Sequence, residues 1–171
     1  MKKVVYVSGL IIFLISILLV VIKLQEGAIP FETLAKGEVL IGGSSNNTLH
    51  PTYMVFTDKD ELDNFLSKLG SRAEEVINFS EDDFKKYILI FAYYGSAPST
   101  GYEIEIRKII KKENDIVDVI VQIKVPTYGL DQITDPYHVV KVERKYFDQG
   151  KYVFVFKDDN GRKLGKVEVN F

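Results

Sequence analysis

The chain has 171 residues with 22 basic and 24 acidic side chains, and it contains no cysteine and no tryptophan. Without cysteine it forms no disulfide, no thiolate metal site and no lipid attachment through sulfur. The first 23 residues hold three lysines and no acid, leaving 19 basic against 24 acidic side chains in the rest. That balance argues against nucleic acid as the main partner, because phosphate binding needs a basic face.

From Val4 to Ile22 run 19 residues without a charge, enough for a helix of about 28 Å against a hydrocarbon core of about 30 Å. No polar stripe exists to face water, so a soluble core helix fits poorly. A cleaved signal has a shorter apolar region and an A-x-A-like site, and here cleavage after Ala28 would leave Glu26 three positions upstream. The segment reads as one N-terminal transmembrane helix, a single-pass anchor over residues 1–23. Lys2 and Lys3 precede it, while Lys23 is soon offset by Glu26. The positive-inside bias therefore puts the N-terminus in the cytoplasm and residues 24–171 outside. A juxtamembrane connector over 24–37 and a β-rich extracytoplasmic domain over 38–171 complete the expected organisation.

Within that domain a short strand is predicted at 38–41, then a Gly/Ser/Asn loop, then a strand at 53–56. The next stretch is helical. Asp58 and Glu61 have capping-box spacing, Leu62, Phe65, Leu66 and Leu69 share one face, and Gly70 suits the stop. A further helical turn begins at Ser80 and carries Phe84. From there the period changes to two. The run 87–94 is apolar on both faces, as in a central strand. Tyr102, Ile104 and Ile106 alternate with charged neighbours, and so do the apolar residues of 117–125. Strands follow at 137–144, 152–156 and 166–171, the last two joined by an Asn160-Gly161 turn. The predicted fold class is α+β, predominantly antiparallel β, with about eight strands and one clear helix after the anchor.

Chemistry-bearing constellations are sparse. The two histidines, His50 and His138, have no second histidine at metal-binding spacing. No serine lies in a nucleophile-elbow pattern. The acids at 58–63 and 81–83 sit at helix starts, where they complement the dipole. No catalytic residue, metal or cofactor is therefore expected, and the chain reads as a non-enzyme. The most informative segment runs from Tyr94 to Tyr102. Gly95 and Gly101 permit unusual backbone angles, Pro98 stiffens the turn, and Ser99 and Thr100 can brace it. On residues alone the segment reads either as a braced hairpin turn or as an exposed, preorganised loop, which loses little entropy on binding a partner.

The stretch from about Phe79 to Lys145 resembles the PrcB C-terminal-domain family, named for an exported subunit that associates with a surface protease complex. Phe79 and Phe84 lead into YILIFAYYG. GSAPSTGYEIEI is similar to the family's G-x-x-P-T-G-G-Y signature, with one glycine where the family usually has two. A Val-rich strand ending at Val125-Pro126 and the segment DPYHVVKVER follow in order. The resemblance implies an exported, non-catalytic β-rich domain that binds or stabilises another protein, a protease or other envelope protein. The interaction loop is assigned to Pro98, Ser99, Thr100, Gly101 and Tyr102. Two alternatives stand beside it: a protease inhibitor of chagasin-like type, suggested by the Pro-x-Thr-Gly-Tyr string, and a hydrolase with an unrecognised site near His50 or His138.

Overall fold

The computed structural model describes residues 27–38, 50–69 and 71–171. The expected anchor over 1–23 lies outside them, and among the described residues no helix is long and apolar enough to cross a membrane. In chain order the elements are β1 (Ala28–Ile29), β2 (Glu32–Gly37), β3 (Thr52–Phe56), α1 (Lys59–Leu69), α2 (Ser71–Val76), α3 (Glu81–Phe84), β4 (Tyr87–Tyr93), β5 (Glu103–Lys111), β6 (Ile116–Lys124), β7 (Tyr137–Glu143), β8 (Lys151–Asp158) and β9 (Lys163–Asn170). A five-stranded sheet, β1-β5-β6-β8-β9, packs on a four-stranded sheet, β2-β7-β4-β3. The helices cover the outer face of the second sheet.

This three-layer stack explains the doubly apolar central strand. In β4, Ile88, Ile90 and Ala92 enter the core between the sheets. Leu89, Phe91 and Tyr93 enter a second core beneath Leu62, Leu66 and Leu69 of α1. A strand buried on both faces cannot alternate in polarity. The five-stranded sheet has one covered face, and there the alternation is clean: Val117, Val119 and Val121 of β6 and Tyr152, Phe154 and Phe156 of β8 all point inward. The α1 cap forms as the sequence predicts, with Asp58 Oδ1 accepting the Glu61 N–H at 2.9 Å. Ser80 and Asp83 cap α3 reciprocally.

Four features depart from the sequence reading. The stretch expected to be a connector supplies β1 and β2, which pair with β5 and β7. A bulge between Thr33 and Ala35 breaks the period of two there, so that Leu34 and Ala35 both pack toward the helices. The strand expected at 38–41 does not include Glu38, which follows the end of β2, and residues 39–41 lie outside the described ones. The additional helix α2 was not anticipated. Finally, β6 and β8 pair in parallel, because the intervening β7 runs in the other sheet and the chain returns in its original direction. The other strand pairs are antiparallel.

Candidate functional site

The segment read from the sequence as a hairpin loop is not one. It leaves β4 in the four-stranded sheet and enters β5 in the five-stranded sheet, so residues 94–102 form a crossover between sheets. Residues 125–136 make a second crossover at the same end of the fold, from β6 to β7. The two are zipped together. Ala97 and Thr134 form an antiparallel bridge with N···O distances of 2.7 and 3.0 Å. The Thr134 hydroxyl donates to the Ser99 carbonyl at 3.0 Å. The Thr100 N–H donates to the Leu130 carbonyl at 3.1 Å, and the Leu130 N–H returns a bond to Thr100 Oγ1 at 2.9 Å.

The glycines make this approach possible. A Cβ on Gly129 would lie 2.3 Å from the Thr100 carbonyl oxygen, a distance no side chain tolerates. Gly101 adopts φ +85°, and a Cβ there would stand 3.1 Å from Pro126 Cβ. Its N–H donates to Glu38 Oε2 at 3.3 Å. Behind the crossovers Asp135 accepts from the Tyr93 hydroxyl at 2.8 Å and from Ser96 at 3.3 Å. Burial, and then this bond, push the Tyr93 hydroxyl well above the usual tyrosine range. The Tyr94 and Tyr102 rings meet at 5.3 Å between centroids.

Of the predicted loop residues only Pro98 is exposed; Ser99, Thr100, Gly101 and Tyr102 are half-buried. Ser99, Thr100 and Gly101 are engaged in bracing. What they brace is the neighbouring crossover, whose apolar side chains face water: Val125 is 61 % exposed, Tyr128 92 %, Leu130 72 % and Ile133 72 %. Among the described residues these four are the exposed large hydrophobics. Four exposed large apolar residues within positions 125–133 of one hydrogen-bonded loop make it a candidate contact surface. Sequence reasoning missed them. The available signal was a run of large apolar residues matching neither strand nor helix period, set among Pro126, Gly129 and Pro136.

The base of the site is held by ion pairs on the first residues of β5. Lys36 and Arg107 each reach Glu105 at 2.8 Å, holding its carboxyl down at about 2. Lys124 reaches Glu103 at 2.8 Å and lowers that carboxyl too. On β5 the described chain begins at the other end, where the Gly27 carbonyl accepts from the Lys111 N–H at 2.7 Å. The nine residues of β5 put that point about 30 Å from the crossovers.

Neither histidine forms an accessible site. His138 is 2 % exposed and faces the core between the sheets. Its Nδ1 accepts the Ile106 N–H at 2.8 Å, so Nε2 carries the proton and donates to Thr33 Oγ1 at 2.9 Å. Burial is the main cause that lowers its pKa to about 4. His50 is exposed, and its carbonyl accepts from Thr52. Among the described residues no cluster of three His, Cys, Asp or Glu side chains is placed to hold a metal.

Fold and crossovers together define a two-sheet β domain in which, among the described residues, the exposed large hydrophobics sit on the second of two joined intersheet loops. The family model described as PrcB C-terminal matches residues 88–143, from the second residue of β4 to the last of β7. The matched third of the chain thus contains both crossovers and the strands that carry them. No curated protein and no solved structure matches the chain.

Proposed function

We propose that this chain is a membrane-tethered, extracytoplasmic interaction domain that binds a protein partner through its paired crossovers. The observation that carries the reading is the confinement, among the described residues, of the exposed large hydrophobics to residues 125–133, on a loop hydrogen-bonded to Ala97, Ser99 and Thr100. A preorganised apolar surface keeps most of its burial energy on binding, since little backbone entropy remains to be lost. The PrcB C-terminal match supports a protein as the partner, and a protease complex as the first place to look. Pro98 joins the contact surface at its edge. Ser99, Thr100, Gly101 and Tyr102 act by positioning the neighbouring loop.

The tether is the apolar run Val4–Ile22, whose length suits a bilayer. The chain then joins the domain at Gly27, at the far end of β5 from the crossovers. In this arrangement the apolar loop projects away from the membrane by about 30 Å, and anchoring raises its local concentration near other envelope proteins. The hydrolase alternative gains no support from a histidine enclosed in the core. The test compares the full chain with the double variant Tyr128→Asp/Leu130→Asp, cross-linked in membranes and purified in mild detergent. Both side chains are exposed, so the variant keeps its melting temperature while its cross-linked partners disappear. Recovery of the same partners by variant and parent refutes the assignment. Mass spectrometry of the purified N-terminus reports whether the anchor is retained.

A further inference from the structure

A second surface lies on the outer side of the five-stranded sheet. Strand register sorts its residues. Ile110, Asp118 and Val155 stand side by side across β5, β6 and β8. In the next row Lys108, Ile120, Lys157 and Lys163 cross from β5 to β9. On the other side of the first row Ile116 pairs with Val153. Residues that pair directly share a face, and the alternate positions, such as Ile109, Val119 and Phe156, fill the core between the sheets. The five aliphatic side chains of the outer rows are half-buried by their neighbours in the sheet and belong to neither core. The helices make their main strand contacts with β3 and β4, in the other sheet.

The charges around these aliphatics are mostly basic. Lys157 reaches Asp118 at 2.7 Å, and Asp118, 8 % exposed, is thereby neutralised in the middle of the patch. Lys151 and Lys166 share Glu168, each at 2.5 Å. Lys108 and Lys163 are exposed and have no ion pair among the described residues. Lys163 also stands directly across from Lys157, a like-charge pair that costs free energy until an anion joins it. Five lysines thus meet two acids here, on a chain whose residues 24–171 hold 19 basic and 24 acidic side chains. Lysine on an edge strand blunts further pairing, which accounts for β9 but not for the aliphatics between the lysines.

We infer that this face takes an acidic amphipathic helix of a partner protein, laid along β6 and β8. The apolar stripe of the helix covers Ile110, Ile116, Ile120, Val153 and Val155. Lys108 on β5 and Lys163 on β9 lie three strand intervals apart, about 14 Å, and so bracket a helix about 10–12 Å across. Acids on the two flanks of the helix complete both pairs. A second copy of the chain is excluded by its own chemistry. Face to face, lysine would oppose lysine, and its helical layer turns Leu62, Leu66 and Leu69 inward, leaving no apolar stripe to offer. A polyanion without apolar groups would leave the aliphatics in water. This surface is separate from the crossover loop and stands independently of it.

The test adds a synthetic eighteen-residue helix, leucine on one face and glutamate on the other, to the full chain in mild neutral detergent. Lysine acetylation is then mapped by mass spectrometry. At saturating peptide, acetylation of Lys108 and Lys163 slows about tenfold, while Lys59 and Lys68 of α1 are unchanged. The same helix with arginine in place of glutamate gives no protection. The variant Lys108→Glu/Lys163→Glu changes two exposed residues and keeps its melting temperature, but its affinity for the acidic helix, read by fluorescence anisotropy, falls about tenfold. Unchanged acetylation at Lys108 and Lys163 overturns the proposal. So does equal protection by polyglutamate of the same length, which marks a simple polyanion site. Protection by phosphatidylglycerol vesicles without peptide marks a lipid surface instead, and protection that grows with protein concentration alone marks a second copy; either overturns it too.

Discussion

His138 ties the two sheets together, and its protonation tests that reading directly. The ring sits on β7 of the four-stranded sheet, yet its Nδ1 accepts from the Ile106 amide in the five-stranded sheet at 2.8 Å. A bulge between Ile106 and Lys108 falls next to this amide, and β1 pairs only with Ile109 and Ile110, so no strand is available to accept the Ile106 N–H. A proton on Nδ1 abolishes that bond and places a charge in a core lined by valine and isoleucine. Lys36 opposes the charge and Glu105 favours it, but both effects are smaller than burial. The folded-state pKa is about 4 against an ordinary value of 6.5. Between these values the unfolded chain binds a proton and the folded chain does not, so stability rises with pH across the window. It is fully present above about pH 6.5 and lost as pH falls through 4. At about 1.4 kcal/mol per pH unit the total is about 3 kcal/mol. Urea unfolding of the full chain in detergent, at half-unit steps from pH 7.5 to 4.5, measures the slope; carboxylates such as Glu168, held at about 2 against an ordinary 4.5, add to it near the acid end and do so in parent and variant alike. His138→Asn supplies the control, since its Oδ1 stands near the Nδ1 position and accepts from Ile106 without titrating. That variant is less stable at pH 7.5 by about 1–3 kcal/mol through lost packing, but its stability is flatter between pH 6.5 and 4.5. Equal slopes for parent and variant refute the account.

Two further substitutions probe the packing that positions the surfaces. Gly165→Ala places a Cβ 2.7 Å from the Tyr53 ring and forces that ring off Phe156; a loss of about 1–3 kcal/mol is expected. In a urea double-mutant cycle, prior Tyr53→Ala removes most of that loss. Gly101→Ala combines a positive φ of 85° with a 3.1 Å approach to Pro126. It costs about 1–2 kcal/mol, and hydrogen exchange speeds up across 125–133 because the brace loosens. Unchanged exchange there would show that the second crossover holds its shape alone.

Much of the fold is legible in the chain because the signals are local. The leucines of α1 with the Asp58 cap, the alternation of β6, and the doubly apolar run of β4 each follow from which faces are buried. The bulge in β5 also left a trace: Ile106 and Ile109 are three apart where a regular strand spaces its inward residues by two. β1 and β2 escaped because a two-residue strand and a bulged one carry no period. The loop at 98–102 was recognisable by its glycine, proline and hydroxyl content, but its role was not. Those residues bond to Leu130 and Thr134, some thirty positions away, and nothing in their composition names the partners.

The sequence by itself determined which residues go inside, where α1 starts, and that 94–102 is a rigid turn-rich segment, since burial patterns, caps and φ preferences act within a few positions. Only the tertiary structure decided that this segment crosses between sheets, that it braces the loop carrying Tyr128 and Leu130, and that Tyr53 of β3 packs on Gly165 of β9. Those properties belong to pairs of segments brought together by long-range packing, and a strand's own residues do not state which sheet its neighbours will join.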